Sequence, residues 1–548
     1  MSKPKIKGES KMNQQSQIQV DKLVEQHDYT NLSLAHVLCE RHDQEKIAFY
    51  FESEGGEKKT FTYGELNNLS KKFASVLKKA GVRKGSRVAV LLPKGPETFI
   101  SALAMWRLGA VYVPLFTAFE RQAISFRLKH SEANVVLTDL VNRPKLSAAL
   151  DDLANTDINV ITLNCETEED IDYWDALEQA EPYEEATLLT KEDTFILIYT
   201  SGTTGDPKGV EVPVFALSAF EAYMRFGLHV QEDDLFWNIA DPGWAYGLYY
   251  GVVGPFILGQ SFIVYQGRFN VDTTYRILRD YKVTNFTGAP TVYRTMRVAG
   301  TPEYVDELNL QTLSSAGEPL NPDINNWTEE VFHSSIYDHY GQTELGMAIV
   351  NHHHPMFQHE IKLGSMGRAL PGYRAVILDD EFKEVEAGVE GELAFDINES
   401  PLLWFRGYLN DEARTAKQYS PCKKYYLTGD AASVDEDGMF FFSGRDDDII
   451  ISSGYKIGPF EVESSLMEHE SVAETAVVGI PDDQRGEIVK AFVILRPDYK
   501  ASDELAKELS EFVKKNLSAH EYPREVEFLE ELPKTPSGKV QRYLLRKI

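Results

Sequence analysis

TFILIYTSGTTGDPKG, residues Thr194 to Gly209, is the stretch from which the rest of the chain is read. An apolar run suited to a buried strand, Phe195 to Tyr199, empties into small and turn-forming residues, Thr200 to Asp206, and ends in Pro207, Lys208 and Gly209. Glycines let backbone N–H groups converge on an anion, hydroxyls add donors and a lysine adds charge, so Thr200, Ser201, Gly202, Thr203, Thr204, Gly205 and Lys208 suit a triphosphate cradle. A surface turn is the plain alternative for a lone glycine-rich loop. The Walker pattern requires a lysine followed by Ser or Thr at the start of a helix. Here Lys208 is followed by Gly209 and the strand-like Val210-Glu211-Val212, which excludes it.

Outward from this loop the pattern alternates. The periodicity predicts a helix over Tyr63 to Ala80, a strand over Val88 to Leu92, a helix over Pro96 to Leu108 and a strand over Val111 to Leu115, with further strands at Asn134 to Thr138 and Asn159 to Leu163. Alternation of this kind implies α/β layers on parallel strands. Past Gly364 the segments shorten and Gly and Pro turns multiply, as in Leu370-Pro371-Gly372, which predicts a β subdomain. A mixed segment with an amphipathic helix over Asp503 to Leu517 closes the chain and is long enough for a small domain. The fold expected is therefore α/β: a large N-terminal domain of layered α/β subdomains plus a β subdomain, and a small α+β C-terminal domain.

Composition limits the partners. Fifty-six Lys and Arg stand against 85 Asp and Glu, a net charge of −29, which disfavours nonspecific attraction to nucleic acid or to an anionic membrane surface. The 3 cysteines, Cys39, Cys165 and Cys422, are far apart and form neither a C-x-x-C pair nor a disulfide framework. Residues 1–28 lack the apolar centre of a signal peptide and read as a flexible tail. The most apolar stretch, Tyr249 to Tyr265, is interrupted by Gly251, Gly254, Pro255 and Gly259, too punctuated for a membrane span. A cytoplasmic location is expected.

The loop resembles the signature of the adenylate-forming superfamily, which contains acyl-CoA synthetases, firefly luciferases and the adenylation domains of peptide synthetases. Further matches follow in family order: Gly317-Glu318-Pro319, YDHYGQTELG from Tyr337 to Gly346, YLTGD from Tyr426 to Asp430, GRDDDIIISSGYKIG from Gly444 to Gly458, and PKTPSGKVQR from Pro533 to Arg542. The resemblance spans nearly the whole chain and implies formation of an acyl-adenylate from a carboxylic acid and ATP, then acyl transfer to coenzyme A. It implies roles in turn. Asp338 accepts from the adenine amino group, the Tyr340 ring stacks, and Gly317, Glu318 and Pro319 wall the base, with His339 and Gln342 completing the set. Thr343 contacts the α-phosphate and Glu344 holds Mg²⁺ against the triphosphate, a hard cation with few protein ligands. Asp430 binds the ribose hydroxyls with support from Arg445, and Lys539 is the catalytic cation that stabilises charge growing on the phosphoryl oxygens.

By the same resemblance Asp447 is the hinge between a large domain, 29–446, and a mobile small one, 447–548. Gly454 lies near the pantetheine passage, Lys456 is the basic residue beside it, and a lysine acetyltransferase and deacetylase acting on Lys539 are expected partners. Taken alone, Asp446-Asp447-Asp448 also reads as an acidic turn or a metal site. DPGWAYG, Asp241 to Gly247, and Gln342 are most similar to the acetyl-CoA and medium-chain acyl-CoA synthetase branch. Trp244, Ala245, Tyr246, Gly247, Ala316 and Gly341 are the expected acyl pocket. Gly341 stands where acetate enzymes carry Trp, and Ala245 and Ala316 where they carry valines, so a deeper pocket is expected. Each further buried methylene contributes about 0.8 kcal/mol. A short- to medium-chain acid, branched or aromatic acids included, is expected in preference to acetate, with the large Tyr246 capping the cavity. A peptide-synthetase module would need a carrier domain after Ile548 and an acidic partner for an α-amine. A luciferase would emit light, and a nonenzymatic sensor would have no use for Lys539. His352-His353-His354 with His359 is expected as a solvated loop rather than a metal site.

Overall fold

In the computed structural model of the chain, the residues described are 18–27, 29–153, 157–165, 169–200, 207–445, 448–452, 455–482, 485–517, 521–534 and 540–548, without the side chains of Tyr455 and Lys456. Three sheets organise them. The first has 7 strands in the order Ile171–Asp172, Asn159–Leu163, Val135–Asp139, Arg87–Leu91, Val111–Pro114, Thr194–Thr200 and Lys208–Pro213. All its pairings are parallel but the last, where Thr194–Thr200 turns back on Lys208–Pro213. Helices supply the crossovers. Tyr63–Lys79 starts on a capping box, Thr62 accepting from the Glu65 amide and the Glu65 side chain from that of Thr62, and buries Leu66, Phe73 and Leu77 along one stripe. Pro96–Arg107 opens with proline at its first turn and is buried on every side, as its apolar sequence requires.

The second sheet has 13 strands. From Ile47–Ser53 through Phe262–Gln266, Phe236–Asn238, Asn285–Gly288 and Thr312–Ala316 to Ile336–Gln342 the pairings are parallel. At Ile336–Gln342 the direction changes, and Gly346–Val350, Ser365–Ala369, Phe440–Arg445, Tyr425–Val434, Gly391–Asp396 and Ala375–Leu378 follow antiparallel. The β segment expected after Gly364 is thus an extension of the α/β sheet, joined through Ile349↔Ala369 and Val350↔Arg368. In such sheets ligands generally sit at the carboxyl ends of the parallel strands.

The third sheet pairs Tyr455–Ile457, Ile450–Ser452, Gly486–Leu495 and Val472–Asp482, with Glu525–Phe528 parallel to Gly486–Leu495. Helices Pro459–Met467 and Asp503–Asn516 cover it, and Val462, Leu466, Val477, Val493, Leu509 and Val513 fill a core of their own. The architecture is α/β in the first two sheets, the second with an antiparallel extension, and α+β in the third.

The expectation of a flexible tail over residues 1–28 needs correction within the described residues. Residues 18–25 are helical, and Val20 and Leu23 are buried. His27 Nε2 lies 2.9 Å from Glu221 Oε2 with both side chains 0% exposed, and Arg225 Nε reaches the other oxygen at 2.7 Å. Burial opposes ionisation of Glu221, but the His27 hydrogen bond and the Arg225 charge outweigh it and hold the carboxyl below its ordinary range. The segment therefore carries the partner of a buried acid, which local composition does not reveal. Breaking a buried pair from one side costs about 3–5 kcal/mol, whereas apolar replacement of both partners is often neutral. His27→Ala is expected to lower the melting temperature by several degrees, and the double variant His27→Leu/Glu221→Leu to recover most of that loss, measured by differential scanning fluorimetry.

Candidate active site

Side chains alternate along Ile336–Gln342, so Asp338, Tyr340 and Gln342 share one face and Tyr337 and His339 the other. On the first face the Asp338 carboxylate accepts from Ser315 Oγ at 3.0 Å and from the Leu320 amide at 3.4 Å. Burial pushes its carboxyl up to about 7 against the pull of these bonds, and the Glu318 charge adds to the rise. The group is a buried acceptor whose charge is opposed by burial. Tyr340 donates to Asp430 Oδ2 at 2.5 Å, and Gln342 Nε2 donates to the same oxygen and to the Thr428 carbonyl, each at 2.8 Å. Tyr426 closes the set by donating to Gln342 Oε1 at 3.1 Å. Asp430 is cross-strand partner to Arg445, whose Nε lies 3.9 Å from Oδ1.

At the carboxyl end of Thr312–Ala316, Gly317 has φ +99 and nothing near its missing side chain, which lets the chain reverse beside an open space. Glu318 after it is held by Arg294 at 2.6 Å and by the Thr291 hydroxyl at 2.9 Å, which fixes the turn carrying Pro319.

A second cluster sits beneath the carboxyl end of Thr194–Thr200. Lys208 Nζ donates to Tyr408 Oη at 3.0 Å, Tyr408 donates to Glu344 Oε1 at 2.8 Å, and Lys208 is 3.9 Å from that oxygen. Burial lowers the Lys208 pKa and Glu344 opposes the shift; burial and the Glu344 charge raise that of Tyr408. Thr343 is fixed through its carbonyl, which accepts from Tyr249 at 3.0 Å. The Thr200 hydroxyl is buried with no hydrogen-bond partner among the described residues. Free donor capacity there, a hard carboxylate at Glu344 and a neighbouring ammonium form a donor set that fits a phosphate chain with a divalent cation. Tyr408, Arg294, Thr291 and Tyr249 escaped the sequence reading because each reaches the site from a distant element with no spacing signal. Ser201, Gly202, Thr203, Thr204, Gly205, Asp447, Gly454, Lys539 and the Lys456 side chain lie outside the described residues.

Of the residues expected to form an acyl pocket, Tyr246 is linked through Tyr223 to His339, on the other face of Ile336–Gln342. Trp244 packs on Phe116 and Phe119, with ring centroids 5.2 and 5.9 Å away. Tyr246 bonds through its hydroxyl to Tyr223 and Thr287. Gly247 is required by closeness, since a Cβ would stand 2.1 Å from the Asp241 carbonyl oxygen. Two expectations change. A Cβ on Gly341 would lie 2.2 Å from the Gly346 carbonyl oxygen, so backbone and not an open cavity occupies that side of the bulged strand. Ala316 is 3% exposed and packs into the main core, which leaves Ala245 as the small residue of the set that is only partly buried. His339, expected among the nucleotide contacts, turns its ring away from them, to Tyr223 and the Asn351 carbonyl.

The histidine cluster is not a solvated loop. His352 is 1% exposed, and His353 stacks on Tyr337 with centroids 3.6 Å apart. Burial holds both rings well below their ordinary pKa, and among the described residues no group of three or more His, Cys, Asp or Glu could hold a metal.

Comparison with known proteins agrees with this geometry. Residues 37–409 match the model of the AMP-binding enzyme family, and residues 461–539 that of the AMP-binding enzyme C-terminal domain. The acetyl-coenzyme A synthetase of Bacillus subtilis (strain 168) is 36% identical over 94% of this chain and 90% of its own length. The mitochondrial acyl-coenzyme A synthetase ACSM3 of Mus musculus is 39% identical over 91% of this chain and 86% of its own. A crystal structure of Brucella canis acyl-CoA synthetase superposes with a TM-score of 0.77 at 44% identity, covering 97% of this chain and 98% of that one. Among the described residues no helix is long and apolar enough to cross a membrane. The chain belongs to the AMP-binding enzyme family and, within it, to the AMP-forming acyl-CoA synthetases.

Proposed function

We propose that this synthetase activates a short- to medium-chain carboxylic acid, branched or aromatic acids included, in preference to acetate. What supports the preference over acetate is partly buried Ala245, where acetate enzymes carry valine; the place of the acid is read from Ile336–Gln342, with acceptors for a nucleoside, Asp338 and Asp430, on one face and Tyr246 behind the other. An acid held there stands next to a bound nucleotide. One carboxylate oxygen attacks the α-phosphorus, the bond to pyrophosphate breaks, and the acyl-adenylate forms; the thiolate of coenzyme A then attacks the acyl carbon and AMP leaves. Asp338 accepts from the adenine amino group, Tyr340 gives the base a stacking face, and Asp430 accepts from the ribose with Arg445 beside it. Thr200, Ser201, Gly202, Thr203, Thr204, Gly205 and Lys208 hold the phosphates, and Thr343 meets the α-phosphate. Glu344 would hold Mg²⁺, which neutralises phosphate charge when bound.

Lys539 supplies an ammonium to the phosphoryl oxygens during adenylation. Residues 447–548 form a small domain that turns about Asp447, withdrawing Lys539 and bringing Gly454 to the thiol passage for the second half-reaction. Acetylation of Lys539 would cancel its charge, and a deacetylase would restore it. The location proposed is cytoplasmic.

Three outcomes test these assignments. Lys539→Ala is expected to lose pyrophosphate release from ATP and acid while still converting supplied acyl-adenylate to the thioester. In the same assay over acids from acetate to octanoate with 2-methylbutyrate and benzoate, a highest specificity constant for acetate would refute the pocket assignment. Tyr408→Phe removes a hydrogen bond to a carboxylate, worth about 1.5–3 kcal/mol, so adenylation is expected to slow roughly 10- to 100-fold with the thioester step little changed.

Asp338 ties binding to pH. Below about pH 7 its carboxyl is protonated in the free protein and is a weaker acceptor for the adenine amino group than the carboxylate. ATP affinity is therefore expected to fall as pH drops through that value, and Asp338→Asn to be weak at all pH. Stability runs the other way. A raised pKa means that the contribution of the neutral form is present at low pH and lost as pH rises towards and through about 7. Asp338→Asn should thus raise the melting temperature at pH 8 more than at pH 5; an equal effect at both would refute the assignment.

A further inference from the structure

Behind the acyl wall, four side chains from four different elements form one hydrogen-bonded line. Thr287, on Asn285–Gly288, has its hydroxyl 2.7 Å from that of Tyr246, in the short helix Ala245–Leu248. The Tyr246 hydroxyl is 2.8 Å from that of Tyr223, which begins the turn Tyr223–Gly227. Tyr223 is 2.7 Å from His339 Nδ1, and His339 Nε2 is 2.9 Å from the Asn351 carbonyl oxygen.

The direction of the line follows from its last member. A carbonyl only accepts, so His339 Nε2 carries the proton. The ring is 2% exposed and burial pulls its pKa down to about 3, which keeps the imidazole neutral and Nδ1 bare. Tyr223 must then donate to Nδ1, Tyr246 to Tyr223, and Thr287 to Tyr246. Every proton runs towards His339. The Tyr246 proton is therefore committed inward, and its hydroxyl is gripped from two sides. Of the four, Tyr223, Thr287 and His339 are buried and Tyr246 alone is half-buried. What Tyr246 offers the acyl side is a ring face with no donor to spare.

We infer that Tyr223 and Thr287 are specificity-determining positioning residues: by fixing Tyr246 through hydrogen bonds they make its ring a rigid, apolar stop that limits the length of the acyl tail. This rests on the acyl-wall assignment made above. It departs from a purely steric cap, because a tyrosine held by packing alone would keep its place when the bonds are removed. It also accounts for His339, a polar residue between two proposed nucleotide contacts that faces away from both: the stop is anchored on the nucleotide-binding strand itself.

The test measures binding and not turnover. Sulfamoyl-adenosine analogues carrying acyl tails from acetyl to octanoyl are titrated by calorimetry into the full chain, as wild type, Tyr223→Phe, Thr287→Val and Tyr246→Ala, with AMP as the reference ligand. Wild type is expected to show an optimum tail length and a loss of affinity beyond it. Tyr223→Phe and Thr287→Val should move the optimum to longer tails, affinity rising about fourfold for each carbon newly accommodated, with AMP binding unchanged within about twofold, a margin of roughly 0.4 kcal/mol. Tyr246→Ala, which leaves the Tyr223–His339 bond in place, should extend the range furthest.

An optimum in wild type that moves only in Tyr246→Ala overturns the inference and leaves the acyl wall standing, since the ring would then be held by packing. A wild type with no dependence on tail length overturns the acyl-wall assignment and the inference with it. Loss of AMP binding in Tyr223→Phe or Thr287→Val identifies a misfolded variant, and the remaining single variant then decides between these outcomes.

Discussion

A β-strand has two faces, and Ile336–Gln342 lies where both can be used. On one side its sheet is parallel and on the other antiparallel, so the strand stands at the crevice where the carboxyl ends of the parallel strands finish. The two-residue period sends Asp338, Tyr340 and Gln342 one way and His339 the other. A register slip of one residue would exchange the faces and empty both sites together. The register is pinned by bonds that are also chemistry: Tyr340 and Gln342 converge on Asp430, and His339 ends the line from Thr287.

Polar groups withdrawn from water recur around this strand. The Asp338 carboxyl is pushed up by burial, Lys208 is shifted down by burial beside Glu344, and the Thr200 hydroxyl has no partner among the described residues. Left alone, such groups destabilise a fold, because burial without a full set of hydrogen bonds is costly. A bound ligand that supplied the missing partners would remove that cost. His352, buried with neither ring nitrogen hydrogen-bonded among the described residues, bears the same cost without a place in the proposed site.

Much of the framework was legible because periodicity is local. The helix predicted over Tyr63 to Ala80 is Tyr63–Lys79, that predicted over Asp503 to Leu517 is Asp503–Asn516, and the strands around Val88, Val111, Asn134 and Asn159 lie within one residue of their predicted ends. Asp338, Asp430 and Glu344 were singled out by their motifs. What escaped was set by partners remote in sequence. Tyr408 meets Lys208 across 200 residues, and no spacing announces it. The acidic residue that buries His27 is equally remote. Gly341 reads as missing bulk in sequence, but the bulge that presses Gly346 against it belongs to the sheet. Continuity of the β segment with the α/β sheet, carried by two cross-strand pairs, leaves no trace in composition.

The clamp between His27 and Glu221 also constrains how the chain is made. The two residues are separated by 194 positions, so at a synthesis rate of about 5–20 residues per second the histidine emerges roughly 10–40 s before the carboxylate it will bury. Throughout that interval the amphipathic segment with Val20 and Leu23 has no surface to cover. The segment is thus made well before the residue that buries its histidine, and in that interval its apolar stripe is free for a chaperone to hold.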